Sequence, residues 1–220
     1  MRTIIMAFAL LVYFSAAGDA QEKQKPAIKE KAATTVKQKG KDVVVGKAKE
    51  IAVIETSLGT IEAELYREDA PKTVENFVRL AEKKFFNGVI FHRVSKGFVI
   101  QGGDPTGTGT GGKSIYGKPF VDELDPNTPS YKAGYLHGVL AMANSGPNTN
   151  TSQFFIMLKD VPRMPKNYSI FGKVIKGLDV VDKIGEVDIV PQMGPSDGKP
   201  KVDVKMKSVT IRHEKAEPQE

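Results

Sequence analysis

Apolar and β-branched residues occur in short bursts along this chain, partly alternating with polar ones and separated by glycine-rich connections. Residues 51–56 (Ile-Ala-Val-Ile-Glu-Thr) and 59–66 (Gly-Thr-Ile-Glu-Ala-Glu-Leu-Tyr) flank a short Ser57-Leu58-Gly59 turn. That pattern predicts a β-hairpin. Asp69-Ala70-Pro71 then opens a helix, since proline is tolerated in the first turn. Val74, Phe77, Val78, Ala81 and Phe85 recur at three- and four-residue spacing and make one buried face. Further strands are predicted over 89–94, 98–101, 138–143, 153–158, 168–175 and 204–213, with a second short helix over 178–184. Eight short strands and two helices predict a mainly all-β fold, a closed antiparallel barrel capped by the helices. Closure removes the open sheet edges that invite aggregation.

The ends of the chain differ in texture. Met1-Arg2-Thr3, an apolar run over 4–14 and the small residues Ser15-Ala-Ala-Gly-Asp-Ala20 have the order of a secretory signal. The run falls short of the roughly 20 apolar residues that span a bilayer, and no later segment reaches that length. The expectation is therefore a signal over 1–20, export, and no stable membrane insertion after cleavage. The net charge of +6 sits mostly in residues 21–50, where nine lysines face Glu22, Glu30, Asp42 and Glu50. A nucleic-acid module carries its basic stripe on the folded part with aromatics interleaved. This stretch has no aromatic and reads as a disordered linker. The domain spans 51–215, followed by a flexible tail over 216–220. The absence of cysteine excludes disulfides, thiolate metal sites and cysteine nucleophiles. His92, His137 and His213 are too scattered to suggest a metal site, so no metal or cofactor is expected.

Three stretches are too polar and glycine-rich for simple core strands: 91–104, 109–117 and 140–155. Period-two alternation pairs Phe91 with Arg93, Val99 with Gln101, and Gln153 with Phe155 on shared faces. A packed interior does not hold an arginine and two glutamines unless they are fully satisfied. These pairs are therefore expected on an outer, partly solvated face, with Ile100, Phe154 and Ile156 turned to the core. An apolar hollow rimmed by a guanidinium and two amides suits a peptide with one buried ring. His92 falls on the opposite face from Arg93 and is expected to be a hydrogen-bonded core histidine.

The same stretches resemble the cyclophilin family of prolyl isomerases. Phe91-His92-Arg93, Gly97-Phe98, Gln101-Gly102-Gly103-Asp104, Gly111-Gly112-Lys113-Ser114-Ile115-Tyr116-Gly117, Met142-Ala143-Asn144, Gly146-Pro147-Asn148-Thr149-Asn150, Ser152-Gln153-Phe154-Phe155 and Phe171-Gly172-Lys173-Val174 match in order over about 51–214. The resemblance implies an eight-stranded barrel with two capping helices and a site on its outer surface. By position it makes Arg93 the catalytic residue. It gives the proline pocket to Phe98, Val99, Phe155, Met164 and Tyr168, and the backbone groove to Gln101, Ala143, Asn144, Ser145 and Gln153. The implied partners are proline-containing polypeptides, met by a monomer.

Xaa–Pro rotation breaks no bond but must cross a barrier of about 18–20 kcal/mol set by amide resonance. A guanidinium beside the prolyl nitrogen can donate to the lone pair that appears as conjugation is lost, and arginine keeps its charge and its fixed fork of donors. The sequence departs from familiar eukaryotic members at Val99 (methionine there), Ser145 (alanine) and Tyr168 (histidine). The loop Val161-Pro162-Arg163-Met164-Pro165 aligns in more than one way. One alignment puts Arg163 where those members carry a tryptophan used in binding cyclosporin, and implies weak inhibition by that peptide. These departures resemble bacterial, envelope-directed members, and point to a periplasmic or secreted isomerase that assists folding of exported proteins. The alternatives are a non-catalytic peptide-binding or chaperone module and, on composition alone, an adhesin using the lysine-rich stretch.

Overall fold

The computed structural model describes residues 36–38, 41–43 and 48–215. The expected signal segment, most of the expected linker and the expected tail over 216–220 lie outside the described residues. Strands β1 (Val36–Gln38) and β2 (Lys41–Val43) pair antiparallel within the stretch expected to be a spacer, in a sheet of their own.

The main sheet is antiparallel and has ten strands: β3 (Lys49–Thr56), β4 (Gly59–Leu65), β5 (Arg93–Ser95), β6 (Val99–Gly102), β7 (Val139–Met142), β8 (Phe154–Met157), β9 (Ile170–Lys176), β10 (Ile189–Gly194), β11 (Asp197–Pro200) and β12 (Met206–Glu214). Their order is β10-β11-β5-β6-β8-β7-β9-β4-β3-β12. Two differences from the expected eight-stranded closed barrel follow. The hairpin β10–β11 is additional; its strand β10 is almost wholly exposed and shows no alternation, so only its pairing with β11, which in turn pairs with β5, makes it a strand. The ladder also runs open, with β10 and β12 at its ends and no pairing between them. Residues just before β5 do bond to the start of β12: Phe91 N–H to the Val204 carbonyl at 2.9 Å, and Met206 N–H to that of Val89 at 2.8 Å.

The β3–β4 turn is where the local pattern placed it. Thr56 Oγ1 donates to the Gly59 carbonyl and accepts from Leu58 N–H, while Gly59 takes φ 141°, a value side chains rarely allow. Ile61, Ala63 and Leu65 alternate into the core.

Helix α1 (Pro71–Glu82) buries Val74, Phe77, Val78, Leu80 and Ala81. It ends before Phe85, which packs from the following turn against Phe86 with ring centroids 5.4 Å apart. No side chain of its own caps α1; the Glu123 carboxylate, 50 residues away, accepts from Thr73 N–H at 2.8 Å and also from Lys72 N–H. Burying an aromatic or aliphatic side chain contributes roughly 2 kcal/mol and a cap about 1 kcal/mol, so packing dominates the helix's stability. Helix α2 (Pro129–Ala133) is a third, five-residue helix beyond the two expected, its Ser130 N–H held by Asp69 at 2.8 Å. Helix α3 (Leu178–Gly185) buries Val181 and Ile184. Phe77 meets Phe86, Phe154 and Phe171 at 5.0, 5.6 and 5.4 Å and centres the core. Among the described residues no helix is long and apolar enough to cross a membrane.

Candidate active site

The outer face of the sheet carries a second apolar cluster. Val99, Tyr135, Val139, Ala141, Phe155, Met157 and Ile170 are buried in it, and Phe98, Ala143, Met164 and Tyr168 pack against it half-exposed. Cross-strand register builds the site. Arg93 in β5 lies opposite Gln101 in β6, Gln101 opposite Phe155 in β8, and Phe155 opposite Ala141 in β7. One row thus runs from a guanidinium through an amide to an aromatic floor. Tyr168 stands edge-on to Phe155, with centroids 5.5 Å apart at 85°. The Tyr135 hydroxyl fixes that wall by donating to the Tyr168 carbonyl and accepting from its N–H, both at 3.0 Å. Burial pushes the Tyr135 phenol up to about 12, so it keeps the proton that the bond requires.

The polar rim is a directed chain of hydrogen bonds. Arg93 Nη1 donates to Gln101 Oε1 at 3.1 Å, and Gln101 Nε2 to Gln153 Oε1 at 2.9 Å. Gln153 Nε2 donates to the Gly109 and Gly111 carbonyls at 2.9 and 2.7 Å. A guanidinium can only donate and a carbonyl can only accept, so the two ends set the orientation of both amides. Beyond the carbonyls, Asp104 draws its loop closed by accepting from the N–H groups of Thr106, Thr108, Gly109 and Gly111. Burial opposes its charge, but the bonds from Thr106, Gly111 and Gly109 hold its carboxyl down at about 2.

Phe91 and Gln153 depart from the alternation argument, and His92 departs from the hydrogen bonding expected of it. Phe91 is fully buried in the inner core against Phe154, not beside Arg93. β5 begins only at Arg93, and residues before it pair with the segment ahead of β12, so period-two reasoning does not extend through them. Gln153 is only 8% exposed, bound to the 109–111 carbonyls and not standing free on a solvated face. His92 is buried as expected, but neither ring nitrogen has a hydrogen-bond partner among the described residues. Burial lowers its pKa, which favours the neutral ring. Asn144 spends its side chain on the Asn167 carbonyl at 3.0 Å, leaving the groove to its backbone. Ser145 is exposed, and so is Arg163. Among the described residues no group of three His, Asp or Glu side chains is placed to hold a metal.

Comparison with known proteins turns this geometry into a family assignment. Residues 51–211 match the family described as cyclophilin type peptidyl-prolyl cis-trans isomerase/CLD. The chain belongs to the cyclophilin-type isomerases. Peptidyl-prolyl cis-trans isomerase-like 1 of Homo sapiens is 50% identical over 144 residues, covering 66% of this chain and 84% of that protein. A peptidyl-prolyl cis-trans isomerase of Schizosaccharomyces pombe is 54% identical over 132 residues, 60% of this chain and 83% of the other. A crystal structure of a Cryptosporidium parvum cyclophilin type isomerase superposes with a TM-score of 0.67 at 38% identity, covering 75% of this chain and 98% of that one. A further structure of the same protein was determined in the presence of the dipeptide Ala-Pro. Peptidyl-prolyl isomerisation is accordingly the activity of this chain. These relatives are eukaryotic and lend no support to the expected resemblance to bacterial, exported cyclophilins.

One residue of this cyclophilin's site was missed altogether. Asp197 accepts from Arg93 Nε at 2.8 Å and from Nη2 at 2.6 Å. It lies 104 positions beyond Arg93, in a hairpin that the pattern of strands and helices did not predict, and no motif marks it. The guanidinium holds its carboxyl below the ordinary carboxylate range, with the Ser95 hydroxyl adding to the effect.

Proposed function

We propose that Arg93 drives Xaa–Pro rotation in this isomerase, and that the prolyl ring seats on Phe98, Val99, Phe155, Met164 and Tyr168. The row from Arg93 through Gln101 to Phe155 carries the reading, because it sets a charged donor beside a half-open apolar cluster. The ring is gripped on one side while the preceding carbonyl turns. A guanidinium N–H then stabilises the pyramidal nitrogen more than the planar amide, and only that difference lowers the barrier. Partial burial strengthens the interaction relative to water. Gln101, Ala143, Asn144, Ser145 and Gln153 line or support the groove for the flanking chain.

Proline-containing polypeptides are the substrates. The Ala-Pro dipeptide named for the Cryptosporidium structure supports that class. The apolar run and small residues over 1–20 support export, with exported proteins as clients. The bonds from Val89 and Phe91 to Met206 and Val204 support reading the sheet as a barrel rolled onto itself.

The test is the cis-to-trans rate of a short Ala-Pro peptide with the native protein and with Arg93→Ala. Loss of about a hundredfold in kcat/KM by a folded variant is expected, which is roughly 3 kcal/mol of transition-state stabilisation. A variant as active as the native protein would remove Arg93 from the mechanism. A native protein that binds proline peptides without turnover would favour the non-catalytic module.

A further inference from the structure

Arg93 is a long side chain on a three-residue strand, and Gln101 holds it by a single bond at 3.1 Å. What holds the rest of the guanidinium is the extra hairpin. β11 pairs with β5 so that Asp197 lies opposite Ser95 and Gly198 opposite Val94. Asp197 is therefore the diagonal neighbour of Arg93 on the same face, within reach of a long side chain. Within the hairpin, β10 backs β11 closely: a Cβ at Gly198 would stand 2.0 Å from the Val190 carbonyl oxygen. Both partners are shielded, with side-chain exposures of 28% for Arg93 and 17% for Asp197.

The donors can be counted. A guanidinium has five N–H bonds. Asp197 takes one on Nε and one on Nη2, and Gln101 takes one on Nη1. One N–H remains on each Nη nitrogen. We infer that Asp197 is a positioning residue for the isomerisation, clamping the guanidinium so that these two remaining donors face the prolyl nitrogen. The inference rests on the role proposed for Arg93.

The physical reason is orientation. Donation to a developing lone pair counts only when the donor is already aimed, and a side chain freed about several torsions spends little time aimed. A two-point carboxylate clamp removes that freedom where a single amide bond leaves rotation open. The other reading of this ion pair is a clip that keeps the hairpin on the sheet. The two readings differ in which kinetic constant responds and in whether the effect depends on Arg93.

The experiment compares native protein, Asp197→Ala, Asp197→Glu, Arg93→Ala and the double variant. The readouts are kcat and KM for an Ala-Pro peptide, thermal unfolding, and the NMR signal of Arg93 Nε–H. Asp197→Ala is expected to lower kcat about tenfold with KM within about twofold, as for an interaction realised in the transition state. Its Arg93 Nε–H signal should exchange faster with water, since that proton has lost its acceptor. Asp197→Glu, which keeps a carboxylate, should recover most of the loss. Asp197→Ala should add nothing once Arg93 is already alanine. Should Asp197→Ala fail to fold, Asp197→Asn makes the same comparison with an isosteric side chain. Three results would overturn the inference: kcat per folded molecule unchanged or raised, Asp197→Glu no better than Asp197→Ala, or an equal further loss in the Arg93→Ala background. If instead Arg93→Ala by itself retains full activity, the role of Arg93 fails, and that result is separate from any behaviour of Asp197.

Discussion

Phe154 and Phe155 are neighbours in β8, 0% and 5% exposed, yet they serve different parts of the molecule. Phe154 points inward and stacks edge-on against Phe77, Phe86 and Phe171. Phe155 points outward to a cluster whose remaining walls, Phe98, Met164 and Tyr168, are half-exposed. Burial of the residue itself does not separate the two roles. What separates them is the company: the inner ring has apolar neighbours on all sides, and the outer one borders a guanidinium–amide chain. The outer cluster is thus built like a core but left open on one side, where a substrate ring can complete it.

Breaking the inner region should produce the largest effect. Phe154→Ala is expected to cost about 3–5 kcal/mol of stability, because the cavity cannot collapse among fixed rings. Urea unfolding measures this, and kcat per folded molecule should stay near native. Next comes the rim, which is electrostatic where the core is not. Asp104 is held at about 2 in the folded protein against 3.8 as the ordinary value. Its folded pKa is depressed, so its contribution is fully present above the ordinary value and is lost as pH falls through the folded one. On the order of 2 kcal/mol of stability should disappear between those limits, measured as the unfolding free energy against pH. Asp104→Asn should flatten that slope, and a slope equal to the native one would assign the acid loss to other carboxylates. The smallest effect sharpens the comparison most. Phe155→Ala should lower kcat/KM about tenfold, or about 1.4 kcal/mol, with less loss of stability than Phe154→Ala. If both variants lose stability and activity in the same proportion, the two clusters are one.

Much of the path to the site was legible in local patterns. The β3–β4 hairpin, the amphipathic face of α1 and the helix beginning at Leu178 depend on spacing within a dozen residues, where period and turn chemistry act directly. The apolar wall residues Phe98, Val99, Phe155, Met164 and Tyr168 were named from family resemblance, and the fold gathers them into one cluster. Alternation failed at Phe91 because it holds only inside a continuous strand, and the ladder of β5 starts two residues later. It failed to describe Gln153 because loop 104–112, drawn in by Asp104, covers it.

The amino-acid sequence by itself determined the kind of protein this is: a mainly β domain with an arginine, two glutamines and a set of aromatics in cyclophilin order. Short-range signals suffice for the strands and turns, since hydrophobic period and glycine placement act over a few bonds. The cyclophilin order was read from resemblance to that family. Only the tertiary structure decided how the arginine is held. The hairpin β10–β11 has an exposed, proline-bearing first strand, so no local pattern announces it, and it exists as sheet because β5 offers an unpaired edge. That pairing brings Asp197 to Arg93 across 104 residues of chain, and a contact between residues so distant in sequence is set by register and not by composition.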